Sequence, residues 1–130
     1  MISRRRSLVL LAALSLGFAA PALAQAPEPF RQEAFAAALA AGKPILVHVT
    51  AGWCPTCRAQ KAVLAKLEND PRFKDLLVFD VAFDSQKPIV GAFKARTQST
   101  LVVFRGGVEI ARAVGQTDPS AIDALLSEAI

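Results

Sequence analysis

The sequence predicts an α/β fold built on a small mixed β-sheet of about four strands, with helices on both faces. Three observations carry this. Short apolar, β-branched runs (Ile45–Thr50, Leu76–Phe83, Thr100–Phe104) alternate with segments of helical periodicity. A long helical segment joins the first two runs, so they are expected to lie parallel with a right-handed crossover. Gly106 and Gly107 then turn the third run back into Val108–Val114 as a hairpin, since glycine reaches positive φ at no steric cost. With 130 residues, 53% of them hydrophobic and 20% charged, the chain has apolar material for the core of one domain. It is too rich in Leu, Val, Ile and Phe for a disordered tail.

The first 24 residues read as an address rather than as part of that domain. Arg4, Arg5 and Arg6 open the chain without an acid beside them. Leu8 to Ala20 follows as an apolar run broken by Ser15 and Gly17, and Pro21-Ala22-Leu23-Ala24 closes it with small residues. A basic start, a short apolar stretch and an A-x-A-like end are the parts of a secretory signal peptide, with cleavage expected after Ala24. An uncleaved membrane anchor is the alternative, but no stretch reaches the ~20 apolar residues of a spanning helix. The arginine cluster suits twin-arginine export as well as general secretion. The expected organisation is a cleaved signal peptide over 1–24 and one domain over 25–130, located in the periplasm. Removing the three arginines leaves 12 of the 15 basic residues against all 11 acids. The mature part is close to neutral and holds no Lys/Arg run, so no nucleic-acid partner is expected.

Along the mature part, Gln25 to Pro29 reads as a short linker with two prolines. Phe30 to Ala41 places Phe30, Ala34, Ala38 and Phe35, Leu39 at helical spacing, and Gly42 and Pro44 stop it. Ile45–Thr50 is a buried strand, and Ala51-Gly52-Trp53 turns the chain. Cys54 to Asn69 lacks glycine, and its one proline, Pro55, falls in the first turn, where a helix tolerates it. Asp70-Pro71 ends that helix. A strand over Leu76–Phe83, a polar loop and a short helix over Pro88–Lys94 follow. After the hairpin, Asp118 caps a last helix with Pro119 at its first position. Its apolar stripe of Ile122, Leu125, Leu126 and Ile130 carries it to the C-terminus.

The chemistry lies in Cys54-Pro55-Thr56-Cys57, placed where a buried strand ends and a helix begins. The first turn of a helix has unpaired N–H groups and the positive end of the macrodipole, both of which stabilise a thiolate. Cys54 is therefore expected to be an exposed nucleophile ionising below the ~8.5 of a free thiol. Cys57, three positions along the same face, is placed to resolve a mixed disulfide. Pro55 stiffens the turn and removes one N–H donor. The pair also leaves open a stapling disulfide, or half of a metal site completed by another chain. With two cysteines and one histidine the chain cannot fill a four-ligand zinc site alone.

Trp53-Cys54-Pro55-Thr56-Cys57 after Ile45-Leu-Val-His-Val-Thr-Ala-Gly resembles the active-site strand and turn of the thioredoxin family. Thr100-Leu-Val-Val-Phe-Arg-Gly-Gly-Val-Glu resembles that family's penultimate hairpin, and the resemblance extends over residues 30–130. It implies a thioredoxin-like fold and thiol–disulfide oxidoreductase activity, with Cys54 as nucleophile, Cys57 as resolving thiol and a redox-active Cys54–Cys57 disulfide. Trp53 becomes the ring beside the site. It further suggests periplasmic protein disulfides as clients, reduction as the direction, a membrane thiol relay as electron donor, and no cofactor. A monomer is expected. Two positions depart from the family. Ser99 stands where a cis-proline is usual; a cis bond without proline costs ~2.5–4 kcal/mol, so this loop is expected to be trans. His48 stands where a buried Asp is common, six residues before the nucleophile. It is either a hydrogen-bonded core histidine or a base that takes the Cys57 proton. Ser99 either hydrogen-bonds a sulfur or a ligand, or is an ordinary loop serine. Phe73, Phe79, Phe83 and Phe104 are expected in the core, and Lys61 and Lys66 on a solvated helix face. Two other functions stay open on the same residues: a thiolate module binding copper or zinc, and a disulfide oxidase.

Overall fold

The computed structural model describes Gly17 and residues 27–130, so the expected signal peptide and its cleavage site lie outside the described residues. Five strands form one sheet: β1 (Glu28–Pro29), β2 (Ile45–Thr50), β3 (Leu77–Ala82), β4 (Thr100–Arg105) and β5 (Val108–Val114). Their order is β1-β3-β2-β4-β5. As expected, β2 and β3 are parallel and β4 and β5 form an antiparallel hairpin; β4 also runs antiparallel to β2. The strand not expected is β1. Its two residues, one a proline, read as linker, yet Glu28 and Pro29 pair with Phe79 and Asp80 at the sheet edge. An edge tolerates proline because the outward side needs no N–H. The next residue, Phe30, buries its ring and donates its N–H to Asp80 O at 2.9 Å, which pins the segment.

Four helices cover the sheet: α1 (Gln32–Ala40), α2 (Pro55–Leu67), α3 (Lys87–Ala92) and α4 (Pro119–Ser127). The first starts two residues later than its periodicity suggests, because Arg31 is extended (φ −129°). The last ends at Ser127, short of the C-terminus. Ile130 is therefore exposed and off the expected stripe, and Ala129 is buried instead. A 3-10 turn over Pro71–Phe73, capped by Asp70, drops Phe73 into the core.

Alternation along the strands divides the core in two. Ile45, Val47 and Val49 of β2 join Phe79 and Val81 of β3 against α1 and α3. Leu46, Val78, Leu101 and Val103 face α2 and α4, where Leu64, Ile122 and Leu126 meet them. His48, between Leu46 and Thr50, belongs to this second face and is fully buried. Gly106 (φ 59°) and Gly107 (φ 82°) make the expected tight hairpin. Adding a Cβ at Gly107 would bring it to 3.3 Å from Leu39 O, so the loop also needs glycine to approach α1.

Candidate active site: a dithiol bridged by a serine

Strand β2 delivers the chain to the top of the sheet, and α2 begins one short turn later. Cys54 is the N-cap of α2, with Pro55 at the first helical position. Its extended backbone (φ −87°, ψ 112°) folds the side chain back over the helix mouth, where Sγ accepts the Cys57 N–H at 3.1 Å. That fold-back corrects the expectation of an exposed nucleophile: Cys54 is only 2% exposed, its sulfur turned onto helix amides instead of outward. Cys57, one turn along, is equally covered, and both are thiols.

Ser99 joins the two sulfurs. Its Oγ lies 3.2 Å from Cys54 Sγ and 3.2 Å from Cys57 Sγ. The peptide bond before it is trans, as expected, but its backbone is left-handed (φ 64°), a region that costs a non-glycine residue roughly 1–2 kcal/mol. Hydrogen bonds hold it there. Ser99 N–H donates to Val49 O at 2.7 Å, and Ser99 O accepts from Gly115 N–H at 2.9 Å and from Gln60 Nε2 at 3.0 Å.

Burial by itself pushes the Cys54 thiol up. Hydrogen bonds from the Cys57 side chain, the Ser99 hydroxyl and the Cys57 amide outweigh it and bring the pKa down to about 7. Near neutrality a large fraction of Cys54 is thus thiolate. With Cys54 ionised, the Ser99 O–H donates to it, and the same hydroxyl lies within hydrogen-bond reach of Cys57 Sγ.

The remaining expected residues divide. Trp53 stays outside, 57% exposed, its Nε1–H donating to Asp84 Oδ2 at 2.7 Å. A carboxylate on the loop after β3 therefore fixes the ring. His48 is brought near the site through a third residue. Gln60 Nε2 donates to two carbonyls, Ser99 O and Gln116 O, both at 3.0 Å. Carbonyls only accept, so the carboxamide nitrogen must face them and Oε1 must face His48. His48 Nε2, 2.9 Å from Oε1, is then the protonated nitrogen. Its bare Nδ1 faces Asp80 Oδ1 at 3.7 Å, beyond hydrogen-bond range, and neither atom has a partner. Burial lowers the His48 pKa against the opposing pull of Asp80, so at neutral pH this contact is not an ion pair. Lys61, half exposed as expected of a solvated face, places Nζ 3.5 Å from Asp80 Oδ2. His48, Lys61, Glu68 and Asp80 line a cavity of about 310 Å³, roomy enough for water.

Gln60 and Asp80 are the members that sequence reasoning missed, and each left a trace. Gln60 interrupts the 57–60–64 apolar face of α2. Asp80 is the one acid inside a strand otherwise apolar, at the position registered with His48.

The Thioredoxin family model matches residues 26–128. Among solved structures, Trxlp from Edwardsiella tarda EIB202 is 44% identical with a TM-score of 0.74, over 77% of this chain and 98% of that one. Thioredoxin O2 of Arabidopsis thaliana, in its oxidized state, is 27% identical with a TM-score of 0.66, over 78% and 92%. The thioredoxin of Chlamydia muridarum is 30% identical over 97 residues, 75% of this chain and 92% of its own length. The bifunctional thioredoxin reductase/thioredoxin of Mycobacterium leprae is 29% identical over 96 residues, of which this chain spans only 21% of the whole. Neighbouring thiols able to pass a disulfide between them thus sit on an architecture shared with these proteins. The chain belongs to the thioredoxin family of thiol–disulfide oxidoreductases.

Proposed function

We propose that the chain works outside the cytoplasm, in the periplasm, as a monomeric reductant of protein disulfides. The observation that carries the direction is the ionisation of Cys54 near 7. Dithiols of this kind that reduce have a nucleophile near ~7, whereas a strong oxidant holds its thiol near ~3.5. The Arg4–Ala24 pattern supports export.

The reaction balances on the two sulfurs. Cys54 thiolate attacks one sulfur of a client disulfide; that S–S bond breaks, a Cys54–client bond forms, and the first client thiolate leaves. Cys57 then loses its proton and attacks Cys54 Sγ. The Cys54–Cys57 disulfide forms and the second client thiolate departs, so the client gains two electrons and two protons. Helix amides and Ser99 stabilise the Cys54 anion as the attacking nucleophile. Reduction of the resulting disulfide requires a thiol donor, which in that compartment is a membrane thiol relay.

Replacing Cys57 by Ser in cells removes the resolving step and is expected to leave client proteins covalently attached to Cys54, with the mature chain beginning at Gln25. Equilibration with glutathione is expected to give a potential nearer ~−270 mV than ~−120 mV. A value at the upper end makes the chain an oxidase. Bound copper or zinc in the reduced protein, with no insulin reduction, makes it a metal module.

A further inference from the structure

Gln60 makes its hydrogen bonds to neither sulfur, yet it is completely buried between the two positions at which this chain departs from its family. On one side its Oε1 accepts from His48; on the other its Nε2 donates to Ser99 O and Gln116 O. We infer that Gln60 is a positioning residue, a hydrogen-bonded bracket between strand β2 and the loop before β4 that holds the Ser99 hydroxyl against both catalytic sulfurs.

Three features of the geometry support this. Ser99 sits in a left-handed conformation that a serine keeps only when its surroundings over-determine it. Its carbonyl has two lone pairs, and Gly115 N–H fills one; Gln60 fills the other and so completes the clamp. Gln116 O, the second carbonyl held by Gln60, follows Gly115 directly, so one carboxamide ties both strands' ends at this corner. The two carbonyls set the direction of the bracket, and His48 follows with Nε2–H toward Oε1. The Gln60 amide cannot flip without placing Oε1 against both carbonyls and NH₂ against N–H. The charged groups about His48 are Asp80 from β3 and Lys61 from α2, with Glu68 across the shared cavity. On this reading His48 acts on the sulfurs through Gln60 and Ser99.

The inference rests on Cys54 being the nucleophile, and the experiment separates the two. Thiolate absorbance is followed against pH in the reduced wild type, Gln60→Met, Ser99→Ala and the double variant. Wild type is expected near 7. Each single variant is expected to rise by about one to two pH units, the worth of one hydrogen bond to a charged group. The double variant is expected to match Ser99→Ala, because Gln60 acts only through the serine. A folded Gln60→Met that titrates like wild type, or increments that add in the double variant, overturns the bracket. Gln60→Leu serves in place of Met where Met does not fold. The intact protein supplies a variant-free measurement: Gln60 carboxamide protons are expected to exchange slowly with solvent, and fast exchange overturns the bracket. A wild-type Cys54 that ionises like a free thiol instead refutes the nucleophile reading itself.

Discussion

The two faces of the sheet solve different problems with the same strands. Toward α1 and α3 the core is aromatic and almost wholly apolar, with Thr100 at its end. Phe30, Phe35, Phe79, Phe93 and Phe104 meet at centroid distances of 5.2 to 6.1 Å, mostly edge to face. Toward α2 and α4 the core is aliphatic apart from Phe73, and His48, Gln60 and the partly buried Asp80 interrupt it. Polar groups inside cost stability unless they are paired. Here most atoms of the network are paired, and its hydrogen-bonded path ends at the dithiol. One face therefore holds the fold together, and the other gives up some apolar packing to govern two sulfurs.

The contrast can be broken most strongly on the aromatic face. Phe35→Ala removes the ring that contacts four others and is expected to cost ~3–5 kcal/mol in denaturant unfolding. Cys54 ionisation should stay unchanged, and a shift of that titration would show that the faces are not independent. On the polar face, the lowered His48 pKa ties stability to acidity. Below ~6.5 the unfolded chain takes up a proton that the native histidine resists, so stability falls with pH, by at most ~1.4 kcal/mol per unit. His48→Leu is expected to flatten that slope between pH 6.5 and 5, whatever its cost at neutral pH. A slope that survives assigns the proton elsewhere.

Cys54 gives the opposite edge of the pH profile. Its folded pKa of about 7 lies below that of a free thiol, so the stabilising contribution is complete above ~8.5 and is lost as pH falls through 7. Alkylation of Cys54 should reach half its plateau rate near pH 7. Thermal unfolding of the reduced Cys54→Ala variant should lack the rise between pH 7 and 8.5. The smallest effect is expected outside both cores. Asp84→Ala releases the Trp53 indole, which is already exposed, and should change stability by less than ~1 kcal/mol. It should still alter the emission of this single tryptophan. A larger loss of stability would mean that Asp84 does more than hold the ring.

Much of the fold was legible. Ile45–Thr50 and Val108–Val114 have their expected bounds, and Asp118 and Pro119 open α4 as their residue types require. These are local signals: β-branched runs, glycine turns and caps act within a few residues. The strand Glu28–Pro29 was not legible, because two residues carry no period and its partner, β3, lies about 50 residues away in sequence. The cysteine pair was legible for the same local reason, as four residues at a strand-to-helix junction. That Cys54 turns inward was not, since N-cap dihedrals decide it.

By itself the sequence determined four of the five strands, the approximate helices and that two thiols share the mouth of one helix, because periodicity and capping are short-range. Only the tertiary structure decided which polar groups meet there. Ser99 lies 45 residues from Cys54, and Gln60 lies 39 from Ser99. Nothing in their local sequence distinguishes a loop serine or a helix glutamine from hundreds like them. Their roles follow from the pairing of β2 with β4, which sets the Ser99 hydroxyl over the sulfurs, and from the burial that obliges each donor to find an acceptor.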